Sequence, residues 1–425
     1  MRIEETPVKK LSQIQSVKGV KFLTPAAYPG SHCPMHTALI TGSGIKGLST
    51  LIVGTPECTS YSRMVIPKSE GPGGELHWLY VLDSSEVVFG CRENVLKALK
   101  TMGEAGVRVI LLITTCVPEL IGEDMESLAR EAEESLGMKV TPVSLAHFSC
   151  NSYPSGWWKT LEALGGIMEP GPRIENLVNV PGLEPEALSG DSEGLLKELQ
   201  NKGIELNFLG RGASVEAFQR AASASLNLVL APEGGPLARK MEKSLGIPWL
   251  GFQDLYGAEQ IEEAYTGLEK ALGIAVECGR PSRKGLVLEL EQRARTVLKG
   301  KSFLSGPMDR DPVPLAAYLA DLGMEPLLLH LEDFFEEDRK WAKALVQKGF
   351  NPWACHLVNM KEDREVLKGL SPDLYLGDFA PPIKSLRLTG GFKGMAGLYG
   401  HDRTAFVLKA LLDFLLDTPV KALSD

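Results

Sequence analysis

Seven cysteines, at positions 33, 58, 91, 116, 150, 278 and 355, are the side chains of this 425-residue sequence with the widest chemical reach. Four of them fall between residues 33 and 116, which makes the N-terminal third the place to look for chemistry. An odd count in a long chain of cytosolic character argues for thiol or metal chemistry, because reducing conditions disfavour structural disulfides. Cys33 lies in YPGSHCPMH, between a Pro-Gly turn and a helix start, and Cys58 in IVGTPECTSYSR, just past a strand end. Cys116 lies in ILLITTCVPELIGED, at the carboxyl end of an apolar strand, where open α/β sheets bind their ligands. Thiolates so placed suit a soft metal or an iron–sulfur cluster. With no C-x-x-C pair, the same spacing fits ordinary buried cysteines equally well.

The elements that must position these thiols alternate short apolar runs with longer amphipathic stretches, the pattern of parallel sheets with crossover helices, so the expected class is α/β. In the first third, Leu48–Val53, His77–Leu82 and Val107–Thr114 read as strands, and Asn94–Met102 and Glu123–Leu136 as helices, the second capped by Gly137. A second unit begins near Asn176 and alternates helix and strand from Ser192–Lys202 and Leu206–Leu209 through Leu226–Leu230 and Gly235–Leu245 to Pro248–Gly251. Residues 261–299 read as a long charged helical bridge. A third unit follows, with strands at Lys301–Ser305 and Pro326–His330 and a closing helix at Thr404–Leu416. The expected organisation is three Rossmann-like domains, each a mostly parallel sheet flanked by helices. They span 1–170 with the cysteines, 171–290 with the bridging helix, and 291–425.

Composition narrows the function. A content of 44% hydrophobic and 23% charged residues is globular. A net charge of -9 argues against non-specific nucleic-acid binding, which needs a concentrated basic surface, and no such stretch appears in the sequence. The first residues, MRIEETPVKKLSQIQSVKG, are polar, and no run approaches the roughly 20 apolar residues of a membrane span, so a cytoplasmic location with no membrane partner is expected.

Other motifs carry less. Gly42-Ser43-Gly44-Ile45-Lys46-Gly47 matches the dinucleotide fingerprint, but the element before it is helix-like and the element after it a strand, the reverse of what that motif needs. No Walker-type phosphate loop is present, so no nucleotide is expected on this chain and any ATP must be bound by another subunit. His32 and His36 flank Cys33 at i, i+4, a metal spacing interrupted by Pro34. Cys150 with His147 lies on a loop after the first domain, and Trp157 with Trp158 read either as a partner or ligand face or as helix-start core. Cys278 reads as a helix end, Cys355 as part of a buried strand, and the Glu-rich runs at 123–135 and 332–338 as solvated helix faces.

The spacing of 25 and 58 residues between Cys33, Cys58 and Cys116, with the strings IVGTPECTSYSR, VFGCRENVLKAL and ITTCVPELIGEDM, resembles the cluster-binding region of the nitrogenase component 1 superfamily. That family places a G-P-x-x-C-type turn at its second cysteine, V-F-G-G before a helix, and T-T-C-x-x-x-x-I-G-D-D at its third. The resemblance continues through SLNLVLAPEGGPLARKMEKSLGIPWLGFQDLYG and through GKSFLSG and LADLGMEP, covering nearly the whole chain. It implies that Cys33, Cys58 and Cys116 ligate a four-iron four-sulfur or P-cluster-like centre at a subunit interface. It also implies that a second copy or paralogous subunit supplies the remaining ligation, and that an ATP-hydrolysing iron protein donates electrons.

Departures narrow what is implied. The family's cofactor-holding subunit has a cysteine after the second-domain strand, where this chain has Ala231, and a histidine ahead of its last helix, where only His401 is near. Dinitrogen reduction on such a cofactor is therefore not expected. Cys91 stands where the family usually has glycine, and reads either as an additional ligand or as a buried small residue. Three functions follow: an electron-relaying reductase subunit acting on a substrate such as a tetrapyrrole, a scaffold for assembling a nitrogenase-type metal cofactor, or a ligand-binding protein that has lost its electron path.

Overall fold

The structure, a computed structural model, describes residues 2–24, 33–66, 68–149, 153–184, 191–277, 279–308, 312–358, 360–377, 386–388, 393–395 and 397–417. Contacts divide the chain into two compact units, one of Met1–Pro29, Ala187–Lys202 and Gly251–Asp425, the other of Gly30–Glu186 and Gly203–Leu250. Two short strands, β1 (Lys9–Lys10) and β2 (Lys21–Phe22), belong to the first unit.

The second unit opens with helix α1 (Met35–Ser43), strand β3 (Ser49–Gly54), α2 (Pro56–Val65), β4 (His77–Val81), α3 (Glu86–Phe89) and α4 (Arg92–Glu104). It continues through β5 (Val109–Thr114), α5 (Cys116–Leu120), α6 (Met125–Leu136), β6 (Lys139–Ser144) and α7 (Pro154–Leu164). The strands pair in parallel in the order β4-β3-β5-β6. STLIVG and VILLIT are apolar almost throughout because β3 and β5 are central and buried on both faces. Ile52, Leu111 and Ile113 feed one hydrophobic cluster, and the alternating Leu51, Val53, Ile110 and Leu112 feed the other. Helix α6 starts where the Asp124 side chain accepts the Ser127 N–H at 2.9 Å, and ends at Gly137, whose φ of 63° needs a residue without Cβ.

A second sheet of the same unit has the order β10-β9-β7-β8, from β7 (Ile174–Pro181), β8 (Glu205–Leu209), β9 (Ala224–Val229) and β10 (Trp249–Gly251), with β8 and β9 both parallel to β7. Asn207, Asn179 and Asn227 stand side by side across β8, β7 and β9. Asn207 Nδ2 donates to Asn179 Oδ1, and Asn179 Nδ2 to Asn227 Oδ1, each at 2.9 Å. The row fixes strand register inside an apolar core, since a one-residue slip would orphan every amide. Asn179→Leu leaves two buried amides short of partners and is expected to lower unfolding free energy by about 2–4 kcal/mol in urea titration.

The first unit carries the third sheet, built from β11 (Ser302–Ser305), β12 (Glu325–His330), β13 (Trp353–His356), β14 (Leu374–Leu376) and β15 (Leu386–Leu388) in the order β13-β12-β11-β14-β15, all parallel. Both N-terminal strands pair with β13, β2 parallel and β1 antiparallel. The stretch expected as one bridging helix is two helices, Ala258–Leu272 and Arg280–Val297, separated at Gly273, whose φ is 68°. The closing helix, Gly400–Asp417, is anchored by the fully buried Arg403, whose guanidinium donates to the carbonyls of Phe252, Gln253 and Leu255 and lies over the Tyr256 ring. The class is α/β, with three mostly parallel sheets flanked by helices.

His401 is buried beside Glu262, and burial pushes its imidazole below the usual range, with Glu262 opposing the shift. A folded state that resists protonation loses stability as pH falls through the unfolded imidazole's value of about 6.5. Unfolding free energy is therefore expected to drop between about pH 7 and about pH 5, and His401→Gln to make that slope shallower.

Candidate cysteine site

Two of the three thiols are set by neighbouring strands. β3 and β5 run parallel with Val53 opposite Thr114, so the segments leaving them emerge side by side. Thr115, the residue before α5, donates both its amide (3.2 Å) and its hydroxyl (2.8 Å) to the Val53 carbonyl, which ties the start of α5 to the end of β3. Cys116 is the first residue of α5 and Cys58 the third of α2, so each thiol sits just past the carboxyl end of its strand. Gly54 lies between them. A Cβ there would meet Thr115 Oγ1 at 2.7 Å and Cys58 Sγ at 3.0 Å, so only hydrogen leaves room for the thiol to lie over the strand end.

The electrostatics favour a positive occupant. Burial raises the Cys116 thiol above its ordinary range, the amides of His147 and Phe148 oppose that by donating to the sulfur, and the charge of Cys58 adds to it. The His147 N–H reaches Cys116 Sγ at 3.2 Å. A cation at this edge would offset the cost of ionising the half-buried Cys116 thiol.

Cys33 immediately precedes α1 and is half-buried. It packs, with Cys58, Tyr61 and Trp157, at the margin of the hydrophobic cluster under the sheet. Tyr61, one turn after Cys58 on α2, donates to the Tyr153 hydroxyl at 3.3 Å, and its own hydroxyl is raised by burial first, with Tyr153 and Cys33 adding to the effect. The His36 ring meets both tyrosines edge-on, at 5.8 and 5.4 Å between centroids. Helix α7 presses on this corner. Thr37 Oγ1 donates to the carbonyls of Pro34 and Tyr153, and a Cβ on Gly156 would fall 1.8 Å from the Pro34 oxygen.

Cys91 is placed apart from these three. It caps α4, is buried in the cluster on the opposite face of the sheet with Leu51 and Val53, and its thiol is pushed up to about 12 by burial and by the Glu123 carboxylate. Ala231 follows β9 and is buried, and Cys355 is buried in β13 with its thiol raised by burial. His32, Cys150 and Cys278 lie outside the described residues. Trp158 has the Lys159 ammonium 5.9 Å from its ring. Among the described residues, the one group of three ligand atoms all within 4.8 Å is His330, Glu332 and His356, at the carboxyl ends of β12 and β13. Sequence reasoning did not mark that group, because its members lie in separate segments with no metal spacing.

Large apolar side chains are exposed near the same sheet edge. Phe89 is 87% exposed at the end of α3, Leu120 is 75% exposed at the end of α5, and Phe148, 62% exposed, directly follows the residue whose amide reaches Cys116.

Fold and site together describe a three-sheet α/β protein with two thiols, Cys58 and Cys116, at the carboxyl edge of its first sheet. The chain belongs to the family described as nitrogenase component 1 type oxidoreductase, whose model matches residues 33–386. It is 25% identical to the nitrogenase iron-molybdenum cofactor biosynthesis protein NifE of Clostridium pasteurianum, over 75% of this chain and 73% of that protein. It is 26% identical to the nitrogenase molybdenum-iron protein alpha chain of Methanothermobacter thermautotrophicus, over 80% of this chain and 76% of that one. A solved structure of nitrogenase Cp1 at pH 6.5 shares the fold with a TM-score of 0.68 at 16% identity, covering 95% of this chain and 97% of that one. No helix among the described residues is long and apolar enough to cross a membrane.

Proposed function

We propose that this chain is a nitrogenase component 1-type subunit that holds an iron–sulfur cluster through Cys33, Cys58 and Cys116. In this role it relays electrons from an ATP-hydrolysing iron protein to a bound substrate such as a tetrapyrrole. The observation that carries the reading is that the half-buried Cys58 and Cys116 share one parallel sheet edge, close enough for one charge to raise the other, with Cys33 acting on Tyr61 one turn along α2 from Cys58. The donor set is soft, Gly54 leaves the space a side chain would fill, and the His147 amide already donates to a sulfur, so the residues fit a four-iron four-sulfur or P-cluster-like group. When bound, such a group supplies a one-electron site whose potential follows from its charge, its hydrogen bonds and its exposure.

This chain's own part is to hold the thiolates, orient them with backbone donors and keep water from one side. Cys91, whose thiol packs on the opposite face, serves as the control position. The exposed Phe89, Leu120 and Phe148 support a second copy or a paralogous subunit covering this edge and completing the ligation. ATP hydrolysis falls to the iron protein, and the assembly is assigned to the cytoplasm.

Several relatives are named as cofactor biosynthesis proteins, which favours a second reading, a scaffold on which a nitrogenase-type metal cofactor is assembled. Supplying the assembly with its iron protein, ATP and a low-potential reductant separates the two. Repeated ATP-dependent substrate reduction supports the relay. A single transfer of a metal centre to an apo acceptor, without turnover, supports the scaffold, and neither outcome would overturn both.

A further inference from the structure

We propose that Glu119 is a positioning residue for the cluster site: its carboxylate holds the segment after β6 so that the His147 amide points at Cys116 Sγ. This rests on the reading of Cys116 as a cluster ligand. The observation is a run of three consecutive amides that the chain hands to three different acceptors as it leaves β6. Leu145 N–H donates to the Thr114 carbonyl at 3.0 Å, continuing the strand pairing. Ala146 N–H donates to Glu119 Oε1 at 2.7 Å. His147 N–H donates to Cys116 Sγ at 3.2 Å. The first acceptor closes β5, and the other two are side chains one turn apart on α5, so the segment is laid across the first turn of that helix.

The middle amide decides the geometry. Ala146 is fully buried, so its N–H has no water to turn to and must find an acceptor within the protein. The half-buried Glu119 reaches back from α5 to supply one. With Ala146 pinned, the next peptide is turned so that its N–H faces the sulfur. Hydrogen bonds to a ligating sulfur withdraw electron density from it and raise the potential of the group it holds, and outer contacts that orient such donors tune a metal site without touching it. Glu119 therefore acts through the peptide at 146–147.

The test compares Glu119→Gln with Glu119→Met in the full-length chain. Both remove the charge and keep the length of the side chain, but only glutamine retains an oxygen that can accept the Ala146 N–H, so the pair isolates the hydrogen bond from the charge. Hydrogen–deuterium exchange over residues 144–148 of metal-free protein is expected to match wild type in the glutamine variant and to lose protection in the methionine variant. In anaerobically purified protein, the midpoint potential of the cluster is expected to lie lower in the methionine variant than in the glutamine variant. Retained protection in the methionine variant, or equal potentials in the two, overturns the proposal. Wild-type protein without iron would instead overturn the cluster reading, while the exchange measurement still decides whether Glu119 positions the segment.

Discussion

Cys116→Ala is expected to lower the iron content of anaerobically purified protein by at least about tenfold, because even changes one shell out from a metal reach that scale. The loss should be local. Cys116 is the first residue of a short helix at the sheet edge, and removing its sulfur takes away the acceptor of the His147 and Phe148 amides without opening the hydrophobic core beneath β3 and β5. Cys58→Ala is expected to behave alike, since the two thiols share the carboxyl edge of adjacent strands. Cys91→Ala supplies the contrast, with iron retained, because its thiol lies in the core on the opposite face.

Gly156→Ala is expected to damage the same site by another route, with an unfolding free energy lower by about 3 kcal/mol and loss of the Cys33 contribution to metal binding. The added methyl would lie 1.8 Å from the Pro34 carbonyl oxygen and 2.5 Å from Thr37 Oγ1. The first of these is backbone, which cannot swing aside. Helix α7 or the start of α1 must shift, and Pro34 is bonded to Cys33. Urea titration alongside iron quantitation distinguishes the two variants: Cys116→Ala loses metal at nearly unchanged apo-protein stability, whereas Gly156→Ala loses both.

Much of this arrangement is legible in the sequence where local physics and tertiary structure agree. LSTLIVG and VILLIT are apolar without alternation because their strands are buried on both faces, and the observed bounds, Ser49–Gly54 and Val109–Thr114, lie within two residues of those expected. The position of Cys116 at a strand's carboxyl end follows directly from that run. Strand β6 is harder to see, since KVTPVS is short, carries Pro142 and lies at the sheet edge. β1 and β2 are two residues each and take their strand character wholly from pairing with β13. The side-chain set at the thiols needs three dimensions. The His147 amide reaches a sulfur 31 residues away, and the contact of Gly156 with Pro34 joins elements more than a hundred residues apart. The placement of Cys91 on the opposite face depends on how α4 packs, which the V-F-G-C string does not specify. The polar row of Asn179, Asn207 and Asn227 is visible as isolated amides in apolar strands, but its pairing depends on the strand order β9-β7-β8.

The measurement that bears most directly on the cluster is low-temperature electron paramagnetic resonance of anaerobically purified, reduced protein, with iron and acid-labile sulfide quantified on the same sample. Near-equal iron and sulfide, with a cluster signal that is lost in Cys33→Ala, Cys58→Ala and Cys116→Ala, is the expected result. Wild-type protein without iron, or a signal of undiminished intensity in all three variants, would contradict the assignment of these thiols as its ligands.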